Sequence, residues 1–427
     1  MELAILLIAV FVLLVIGSPV TVALGVGSLI FILMEGTPSV VVLHRMVSGI
    51  DSFPLIAVPF FILAGHLMNS AGITTRIFGF AKALVGWMHG GLGHVNIGAS
   101  IIFAGMSGAA VADAGGLGTI EIKAMRDAGY DDDFSVGITA ASSTIGPIIP
   151  PSLPLVIYGV MASASIGELF AAGFIPGLLM GLALMIMVTL YSRKRKYPRD
   201  TRFSLNRLWA SFKQAFLPLQ TPTIIIGGIL SGIFTPTESA IAAVVYALIL
   251  GLFVYRSLTW RHILRVSMDT IETSAAILMI VASATIFAWI LIDQQVAVIL
   301  GDALLGFSQN KTVILIIIMM VVLLIGCFME TIAAITILVP VLLPIAEKVG
   351  IDPVHLGIIV ILNLMLGLLT PPVGMVLYVL SKVSGVKFER CVIATAPFIV
   401  PLLVVLAMIT FFPDIAMWLP NIAYRGN

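Results

Sequence analysis

The stretch SSTIGPIIPPSLP, residues 142–154, and the stretch NLMLGLLTPPVG, residues 363–374, each place a double proline inside an apolar run. Proline lacks a backbone N–H and interrupts a helix, and hydrocarbon cannot satisfy the backbone groups that the interruption sets free. Irregular backbone at membrane depth is tolerated only where it is buried in protein or lines a water-filled cavity. If this chain spans a membrane, the two breaks therefore mark functional positions.

The composition indicates a multi-pass membrane protein. The chain has 427 residues, of which 60% are apolar and 10% are charged, whereas soluble domains have about 25% charged residues. Apolar runs of about 18 residues or more, enough to cross a lipid bilayer, recur along it. The net charge of +1 gives no basic surface for nucleic acid. The two cysteines, Cys327 and Cys391, give neither a disulfide framework nor a metal-binding pattern.

The landmarks around the two breaks repeat at one spacing. The second proline pair follows the first by 221 positions, the difference between 150 and 371. The same shift relates Gly105 to Gly326, Gly129 to Gly350, Asp131 to Asp352, Ser142 to Asn363, Gly146 to Gly367, and Pro176 to Pro397. Co-linear matches of this kind predict two repeated halves, residues 1–200 and 201–427.

The basic residues predict that the two halves are inverted. Cytoplasmic loops are enriched in Lys and Arg. The first half ends in the basic segment YSRKRKYPR, residues 191–199, so this end is expected in the cytoplasm. The matching end of the second half, FFPDIAMWLPN, residues 411–421, is followed by no basic residue before Arg425 and is expected outside. Inverted repeats are typical of secondary transporters.

Hydropathy and break points predict an all-α chain with about ten crossings and two re-entrant helical hairpins. In the first half we expect scaffold helices at 2–16 and 19–34, a span at 53–70, an arm at 74–90, a hairpin at 95–126, a broken helix at 134–165 and a helix at 167–191. In the second half we expect scaffold helices within 222–255, an arm at 257–268, a span at 270–292, a hairpin at 312–346, a broken helix at 354–384 and a helix at 390–412.

Polar residues gather at the hairpin tips and at the breaks. A broken helix presents carbonyl groups, which suit a small cation, at one end and N–H groups, which suit an anion, at the other. The candidates are Ser107 and Asp113; Ser142, Ser143, Thr144, Gly146, Pro147, Pro150, Pro151 and Ser152; Glu330 and Thr331; and Asn363, Gly367, Thr370, Pro371, Pro372 and Gly374. Oxygen ligands of this kind suit Na⁺ and not a transition metal.

Each candidate also has a structural interpretation. Hydroxyl groups in membrane helices often bond to the carbonyl one turn back, and for Ser142, Ser143 and Thr144 both interpretations stay open. The intramembrane carboxylates Asp113 and Glu330 favour function because such groups are costly, although Asp113 can instead bond to the hairpin backbone.

The segment GMSG, residues 105–108, superficially matches the serine motif of intramembrane proteases. That chemistry needs a base beside the serine, and no later histidine lies within an apolar span. An enzyme is therefore not predicted.

Taken together, the motifs GMSGAAVADAGGLGTIEIKAMRDAGYD (105–131), SSTIGPIIPPS (142–152), GCFMETIAAITI (326–337) and NLMLGLLTPPVG (363–374) resemble the large membrane subunit of tripartite ATP-independent periplasmic (TRAP) transporters. The resemblance covers essentially the whole chain. It implies a Na⁺-driven elevator transporter of the bacterial inner membrane, in which a scaffold supports a mobile domain with both hairpins. It also implies a small four-helix membrane subunit, a periplasmic substrate-binding protein and an organic acid substrate, with sialic acid favoured over a C4-dicarboxylate.

The resemblance also implies site residues. It places one Na⁺ site at Ser107, Gly108, Ser142, Gly146 and Pro147, with Ser143 beside them, and another at Gly326, Thr331, Gly367 and Thr370. It places substrate contacts at Ser107, Ser152 and Glu330, with Asn363 nearby, while Pro150, Pro151, Pro371, Pro372 and Asp113 shape the breaks.

This chain departs from the family at Glu330, where many members carry Asp. A carboxylate substrate beside Glu330 is repelled unless Na⁺ offsets the charge and Glu330 accepts hydrogen bonds from substrate hydroxyls. A hydroxyl-rich sugar acid therefore fits better than a simple dicarboxylate. Two alternatives stay open: a standalone Na⁺/carboxylate symporter of the same superfamily, and a membrane scaffold without transport activity.

Overall fold

The computed structural model describes residues 2–38, 40–195, 197 and 203–426, and every regular element among them is helical. The first half contains α1 (Glu2–Val15), α2 (Val20–Glu35), α3 (Val40–Ile50), a 3-10 turn (Phe53–Ile56) leading into α4 (Ala57–Ser70), α5 (Ile73–Val85), α6 (Gly91–Ser107), α7 (Ala110–Gly115), α8 (Leu117–Asp127), α9 (Asp132–Ser143), α10 (Leu153–Met161) and α11 (Ile166–Arg195). In the basic segment 191–199, Lys196, Pro198 and Arg199 lie outside the described residues.

The second half begins with a longer helix than the first. It contains α12 (Leu205–Leu230), α13 (Pro236–Ile249) with a π-helical turn (Leu250–Val254), α14 (Trp260–Asp293), α15 (Val296–Phe307), α16 (Lys311–Gly326), α17 (Thr331–Lys348), α18 (Pro353–Gly367), α19 (Met375–Ser384), α20 (Phe388–Phe411), and α21 (Pro413–Pro420) with a terminal π-helical turn (Asn421–Arg425).

Six of these helical segments are long and apolar enough to cross a bilayer. They are Phe53–Ser70, Ile166–Arg195, Pro236–Val254, Trp260–Asp293, Thr331–Lys348 and Phe388–Phe411. Several other apolar helices are shorter because hairpin tips and breaks interrupt them, as expected around the two double prolines. The chain is thus an all-helical polytopic membrane protein.

Helices are interrupted at both double prolines and within the segments 95–126 and 312–346, whereas several segments differ from the prediction. Helices α3, α15 and α21 form where the sequence analysis predicts no element. The expected arm 257–268 and span 270–292 are one continuous helix, α14, because nothing between Thr259, which caps its start, and Asp293 breaks it. Helix α12 begins at Leu205 and not near 222, and it runs through Pro218 and Pro222. Proline is tolerated within membrane helices where neighbouring groups satisfy the freed carbonyls.

Helix α11 fixes the relative direction of the two broken helices. Asp131 accepts from the N–H of Phe134 at the start of α9, and Arg195 at the end of α11 pairs with it at 2.8 Å. Asp352 caps the start of α18, and Arg425 joins it to Glu168 at the start of α11, with contacts of 2.7 and 2.6 Å. Since a helix of this length extends about 45 Å at 1.5 Å per residue, α9 and α18 begin at opposite ends of α11.

The ion pair of Arg425 leads to a pH-dependent prediction. Partial burial raises the pKa of Asp352, but the Arg425 guanidinium and the N–H groups of Val354 and His355 outweigh it, so the net pKa lies below the usual 3.8. A lowered folded-state pKa adds stability above the unfolded value and loses it as the pH falls through the folded value. We expect Arg425→Ala to cost about 1 kcal/mol or less at pH 7, and progressively less below about pH 4.

Thermal unfolding of the purified protein at a series of pH values measures this difference. Lys387→Ala is the control, because Lys387 is an exposed residue outside the six ion pairs seen in the described parts of the chain. A deficit for Arg425→Ala that is as large at low pH as at pH 7 would contradict the assignment.

The packing brings the hairpins and the breaks together reciprocally. In the first half α6 and α8 pack against α9, and in the second half α16 and α17 pack against α18. Each hairpin also reaches the other half, since α7 contacts α19 and α17 contacts α10. Each broken helix is therefore held by both hairpins, and this arrangement positions the candidate site.

Candidate functional site

The tip of the first hairpin lies directly against the first break. Helix α6 ends at Ser107, and Gly108 turns the chain with a φ of 63°. A Cβ on Gly108 would lie 2.5 Å from the carbonyl oxygen of Pro151 and 3.3 Å from the amide nitrogen of Leu153. Only glycine meets both the positive φ and this close approach. The tip and the double proline thus form one unit.

A buried carboxylate points into this unit. Asp113, 2% exposed, accepts a short hydrogen bond from Ser107 through Oδ1, and its Oδ2 has no hydrogen-bond partner in the described structure. A Cβ on Gly146 would overlap that Oδ2 and would lie 3.4 Å from the carbonyl oxygen of Ser143. A carboxylate oxygen without a partner is costly in a buried place. Oxygens of a carboxylate and a carbonyl facing one small space fit a hard cation such as Na⁺.

Ser142 takes part in a buried polar network. Its hydroxyl donates to Asn96 Oδ1 at 2.5 Å. The Asn96 amide nitrogen donates to Glu121 Oε2 at 2.8 Å and to Thr139 Oγ1 at 2.7 Å. The carbonyl of Thr139 is a second, more distant acceptor for this hydroxyl at 3.3 Å. Because the Ser142 hydrogen is directed to the closer Asn96, its oxygen lone pairs are left to face other groups. Ser142 therefore does more than bond to its own helix.

The neighbouring hydroxyls have local roles. Ser143 and Thr144 donate to the carbonyls of Ala140 and Ala141, at 2.8 and 2.7 Å, which is the structural interpretation of these side chains. Ser152 donates a short hydrogen bond to the carbonyl of Pro147 and accepts from the N–H of Leu155 at 3.2 Å. The structure thus places Ser152, expected to contact substrate, fully buried inside the break as the cap of α10.

The second break brings two helix ends into contact. A Cβ on Gly367, the last residue of α18, would lie 2.7 Å from the Cα of Gly326, the last residue of α16. The N–H of Val373 donates to the carbonyl of Cys327 at 3.2 Å, which ties the break to the second hairpin tip. Thr370 donates to the carbonyl of Leu366 at 2.8 Å. The structure therefore brings Gly326 and Gly367 together, and their role in binding a cation stays a prediction.

Glu330 caps the return helix of the second hairpin. Its Oε2 accepts from the N–H groups of Ile332 and Ala333 at 2.8 and 3.1 Å, just before α17 begins at Thr331. A carboxylate at this end is stabilised by the free N–H groups and by the positive end of the helix dipole. The Oε2 of Glu330 is thus held by two backbone N–H groups, and its other oxygen takes part in neither of these hydrogen bonds.

Asn363 joins α18 to α16. Its amide nitrogen donates to the carbonyl of Met319 at 2.8 Å, and its Oδ1 has no hydrogen-bond partner in the part of the chain that the structure describes. Asn363 is fully buried, and the structure places it between these two helices.

The two breaks differ in exposure although their backbones match. Both double prolines, Pro150–Pro151 and Pro371–Pro372, contain a cis peptide bond. The first pair is buried, whereas the second pair and the following Val373 are exposed. The second break therefore reaches the surface, and the first is enclosed by neighbouring helices.

A cavity of about 360 Å³ lies beside the first hairpin tip. Its walls include Ser107 and Leu153 from the tip and break, His66 and Asn69 from α4, and Thr273 from α14. The sequence analysis selected neither His66 nor Asn69 as a candidate. The signal in the sequence that could have indicated Asn69 was a polar residue within the apolar segment 53–70.

Asn96 and Glu121 were also missed. Glu121 belongs to the charged segment EIKAMRD, residues 121–127, yet it is 1% exposed. The signal in the sequence was a second carboxylate within the predicted hairpin 95–126, because an acidic group in such a segment is costly unless it has a purpose.

The fold is similar to that of a solved membrane protein. The solved structure of the Alcanivorax borkumensis YdaH transporter, described as having an unusual topology, is similar with a TM-score of 0.60 at 14% identity, over 87% of this chain and 88% of that one. At this identity the similarity concerns the fold alone.

The family follows from sequence. Residues 7–415 match the model of the tripartite ATP-independent periplasmic transporter DctM component, and the chain belongs to this family. The large permease protein SiaM of a sialic acid TRAP transporter from Vibrio cholerae is 50% identical over 407 residues, which cover 95% of both chains. The large permease protein DctM of a C4-dicarboxylate TRAP transporter from Rhodobacter capsulatus is 36% identical over 95% of this chain and 96% of that protein.

A third relative is longer than this chain. The sialic acid TRAP transporter permease protein SiaT of Haemophilus influenzae is 45% identical over 95% of this chain, which spans 66% of that protein. The resemblance predicted from the motifs is confirmed by these matches. The chain is a transporter permease and not an enzyme, and its family forms part of a tripartite system.

Proposed function

We propose that the chain carries out Na⁺-coupled uptake of an organic acid, sialic acid rather than a C4-dicarboxylate, across the bacterial inner membrane. The observation that carries the proposal is the partnerless Oδ2 of Asp113, buried against Gly146 at the first break. The substrate preference is supported by the higher identity to the sialic acid protein SiaM, 50%, than to the C4-dicarboxylate protein DctM, 36%.

Converging helix ends support two cation sites. Helices α6 and α9 pack together and end at the first site, and helices α16 and α18 pack together and end at the second. The carboxyl end of a helix presents free carbonyls and a partial negative charge, which attract a cation. The first site would comprise Ser107, Gly108, Ser142, Ser143, Gly146 and Pro147, with the Asp113 carboxylate. The second would comprise Gly326, Thr331, Gly367 and Thr370.

Substrate would bind where N–H groups and hydroxyls face the cations. Helices α10 and α17 begin at Leu153 and Thr331 and pack against one another, so their positive ends belong to one region. Ser107, Ser152, Glu330 and Asn363 are the proposed substrate residues. Because Oε2 of Glu330 is already held by backbone N–H groups, only its other oxygen would accept from a sugar hydroxyl. Bound Na⁺ would offset the repulsion between two carboxylates.

An elevator mechanism of two inverted repeats, residues 1–200 and 201–427, accounts for the packing. The opposite starts of α9 and α18 along α11 support the inversion. A separate apolar core supports a scaffold, since buried side chains of α1 and α2 pack against the end of α14 apart from the main core. The mobile domain would carry both hairpins and both broken helices past this scaffold.

The tripartite family description supports two partners, a small four-helix membrane subunit and a periplasmic substrate-binding protein. The longer SiaT protein, of which this chain spans 66%, leaves room for a fused second component.

Reconstitution in proteoliposomes tests the proposal. Uptake of radiolabelled sialic acid under an inward Na⁺ gradient is expected only when this chain is combined with its small subunit and a substrate-loaded binding protein. Uptake by this chain alone would favour a standalone symporter. Absence of Na⁺-dependent uptake in every combination would favour a scaffold without transport activity.

Replacing Glu330 with Asp tests the two roles of this side chain. Asp is at least as good a helix N-cap as Glu, so we expect the melting temperature of Glu330→Asp to match that of the wild type. Its shorter reach moves the carboxylate away from the proposed substrate position, so we expect KM for sialic acid to rise several-fold, by the loss of about one hydrogen bond of 0.5–1.5 kcal/mol.

Thr336→Val is the matched control, since among the described residues the Thr336 hydroxyl bonds only to the carbonyl of Ala333, within the same helix. An unchanged KM in Glu330→Asp, with normal folding, would remove Glu330 from the substrate site.

A further inference from the structure

The first half contains a buried carboxylate that has no counterpart in the second. Glu121, 1% exposed, lies in α8, and the residue 221 positions later is the apolar Leu342. Its Oε2 accepts from Asn96, and its Oε1 has no hydrogen-bond partner in the described structure. An acidic side chain in such surroundings destabilises the fold unless it is compensated, so packing alone gives it no purpose.

Glu121 determines which way the Asn96 amide faces. A carboxylate oxygen accepts, so the amide nitrogen of Asn96 must face Glu121, and it also donates to Thr139 Oγ1. The carbonyl oxygen of Asn96 is then left to face Ser142, whose hydroxyl donates to it at 2.5 Å. The orientation of one hydroxyl at the first break thus depends on a side chain two hydrogen bonds away.

In the second half, the residue that corresponds to Ser142 bonds, among the described residues, to the backbone and not to a side chain. This residue is Asn363, which donates to the backbone carbonyl of Met319. A backbone carbonyl always accepts, so no side-chain substitution can reverse the direction of this hydrogen bond. The Glu121–Asn96–Ser142 connection is therefore specific to the first break.

We propose that Glu121 is a positioning residue for the first cation site. Through Asn96 it holds the Ser142 hydrogen away from the break, so that the Ser142 oxygen presents lone pairs to Na⁺. This inference rests on the proposed Na⁺ coupling. It assigns a role to Glu121, which touches neither the cation nor the substrate. The Na⁺ affinity of the first site would then depend on a buried side-chain network that the second site lacks.

The experiment measures Na⁺ binding without transport. The full chain is purified, and its melting temperature is followed as NaCl replaces choline chloride at constant ionic strength. In Glu121→Gln the new amide group can donate to Asn96, which permits the reversed amide. We expect the Na⁺ concentration for half-maximal stabilisation to rise about ten-fold, as for changes to the partners of metal ligands. Without Na⁺ the melting temperature should stay level or rise, because a buried carboxylate has gone.

Two further variants distinguish positioning from packing. Glu121→Leu, which copies Leu342 of the second half, is expected to show the same shift. The double variant Glu121→Gln with Ser142→Ala is expected to bind Na⁺ no more weakly than Ser142→Ala alone, because both changes act on one hydroxyl. Thr395→Val, which removes a fully buried hydroxyl bonded only to the carbonyl of Cys391 in α20, is the control and should leave the Na⁺ dependence unchanged.

Three results would overturn the proposal. The first is an unchanged Na⁺ dependence in folded Glu121→Gln or Glu121→Leu. The second is a further loss of Na⁺ affinity when Glu121→Gln is added to Ser142→Ala. The third is a wild-type protein that NaCl stabilises no more than choline chloride, and this result alone would also remove the Na⁺ coupling proposed above.

Discussion

Gly146→Ala is expected to abolish Na⁺-dependent uptake while the protein still inserts and folds. The added Cβ would overlap the Oδ2 of Asp113, whose other oxygen is held by Ser107. The carboxylate would have to turn away, and the space proposed for the first cation would be filled by a methyl group. Uptake in proteoliposomes is expected to fall by at least two orders of magnitude, because the displaced charge is a direct part of the site.

The matched control is Gly227→Ala, since a Cβ on Gly227 meets nothing within 4 Å. This change adds the same methyl group within a helix and should leave uptake near the wild-type rate. A second measurement separates misfolding from loss of the site. Gly146→Ala should elute as a single species, yet Na⁺ should raise its melting temperature less than that of the wild type, because only the second proposed cation site remains. Wild-type uptake by Gly146→Ala would contradict the placement of the first cation site.

Gly367→Ala is expected to cause the largest loss of stability. Its Cβ would collide with the backbone of Gly326, including a Cα at 2.7 Å, and a backbone at a helix end cannot move aside as a flexible side chain can. Overpacking of this kind costs about 1–3 kcal/mol or more. Thermal unfolding should show a large drop in melting temperature, and the remaining folded protein should need more Na⁺ for uptake.

The reciprocal change provides an internal comparison. A Cβ on Gly326 would approach nothing closer than 3.1 Å, at a side-chain methyl of Leu364. Gly326→Ala should therefore be much milder than Gly367→Ala, although the two glycines face each other. Equal damage from both changes would show that the contact between α16 and α18 is not as close as described.

The sequence predicts the parts of this fold that depend on local backbone chemistry. The double prolines and the glycines at the hairpin tips act within a few residues, and they lie where the helices are interrupted. Asp131 and Asp352, matched in the sequence only as repeat landmarks, prove to be helix caps. The continuity of α14 was missed because the basic residues between Trp260 and Arg265 are typical of an interfacial arm, and no local signal shows that the helix continues.

The candidate site was only partly predictable. Asp113 and Glu330 stand out as carboxylates in apolar sequence, but the capping role of Glu330 depends on where α17 begins. Asn96 and Glu121 are joined across 25 residues, and Ser142 lies 46 residues from Asn96. Such partners become visible only when α6, α8 and α9 are packed together, because single polar residues in separate segments carry no information about their neighbours.

Helix α11 connects the two broken helices. Its one end is pinned to the cap of α9 through Arg195, and its other end to the cap of α18 through Arg425. These ion pairs are partly exposed and individually weak, yet together they connect both broken helices to the same helix. Under the proposed elevator mechanism, α11 and both broken helices would move as one unit, so both proposed cation sites would change sides of the bilayer together.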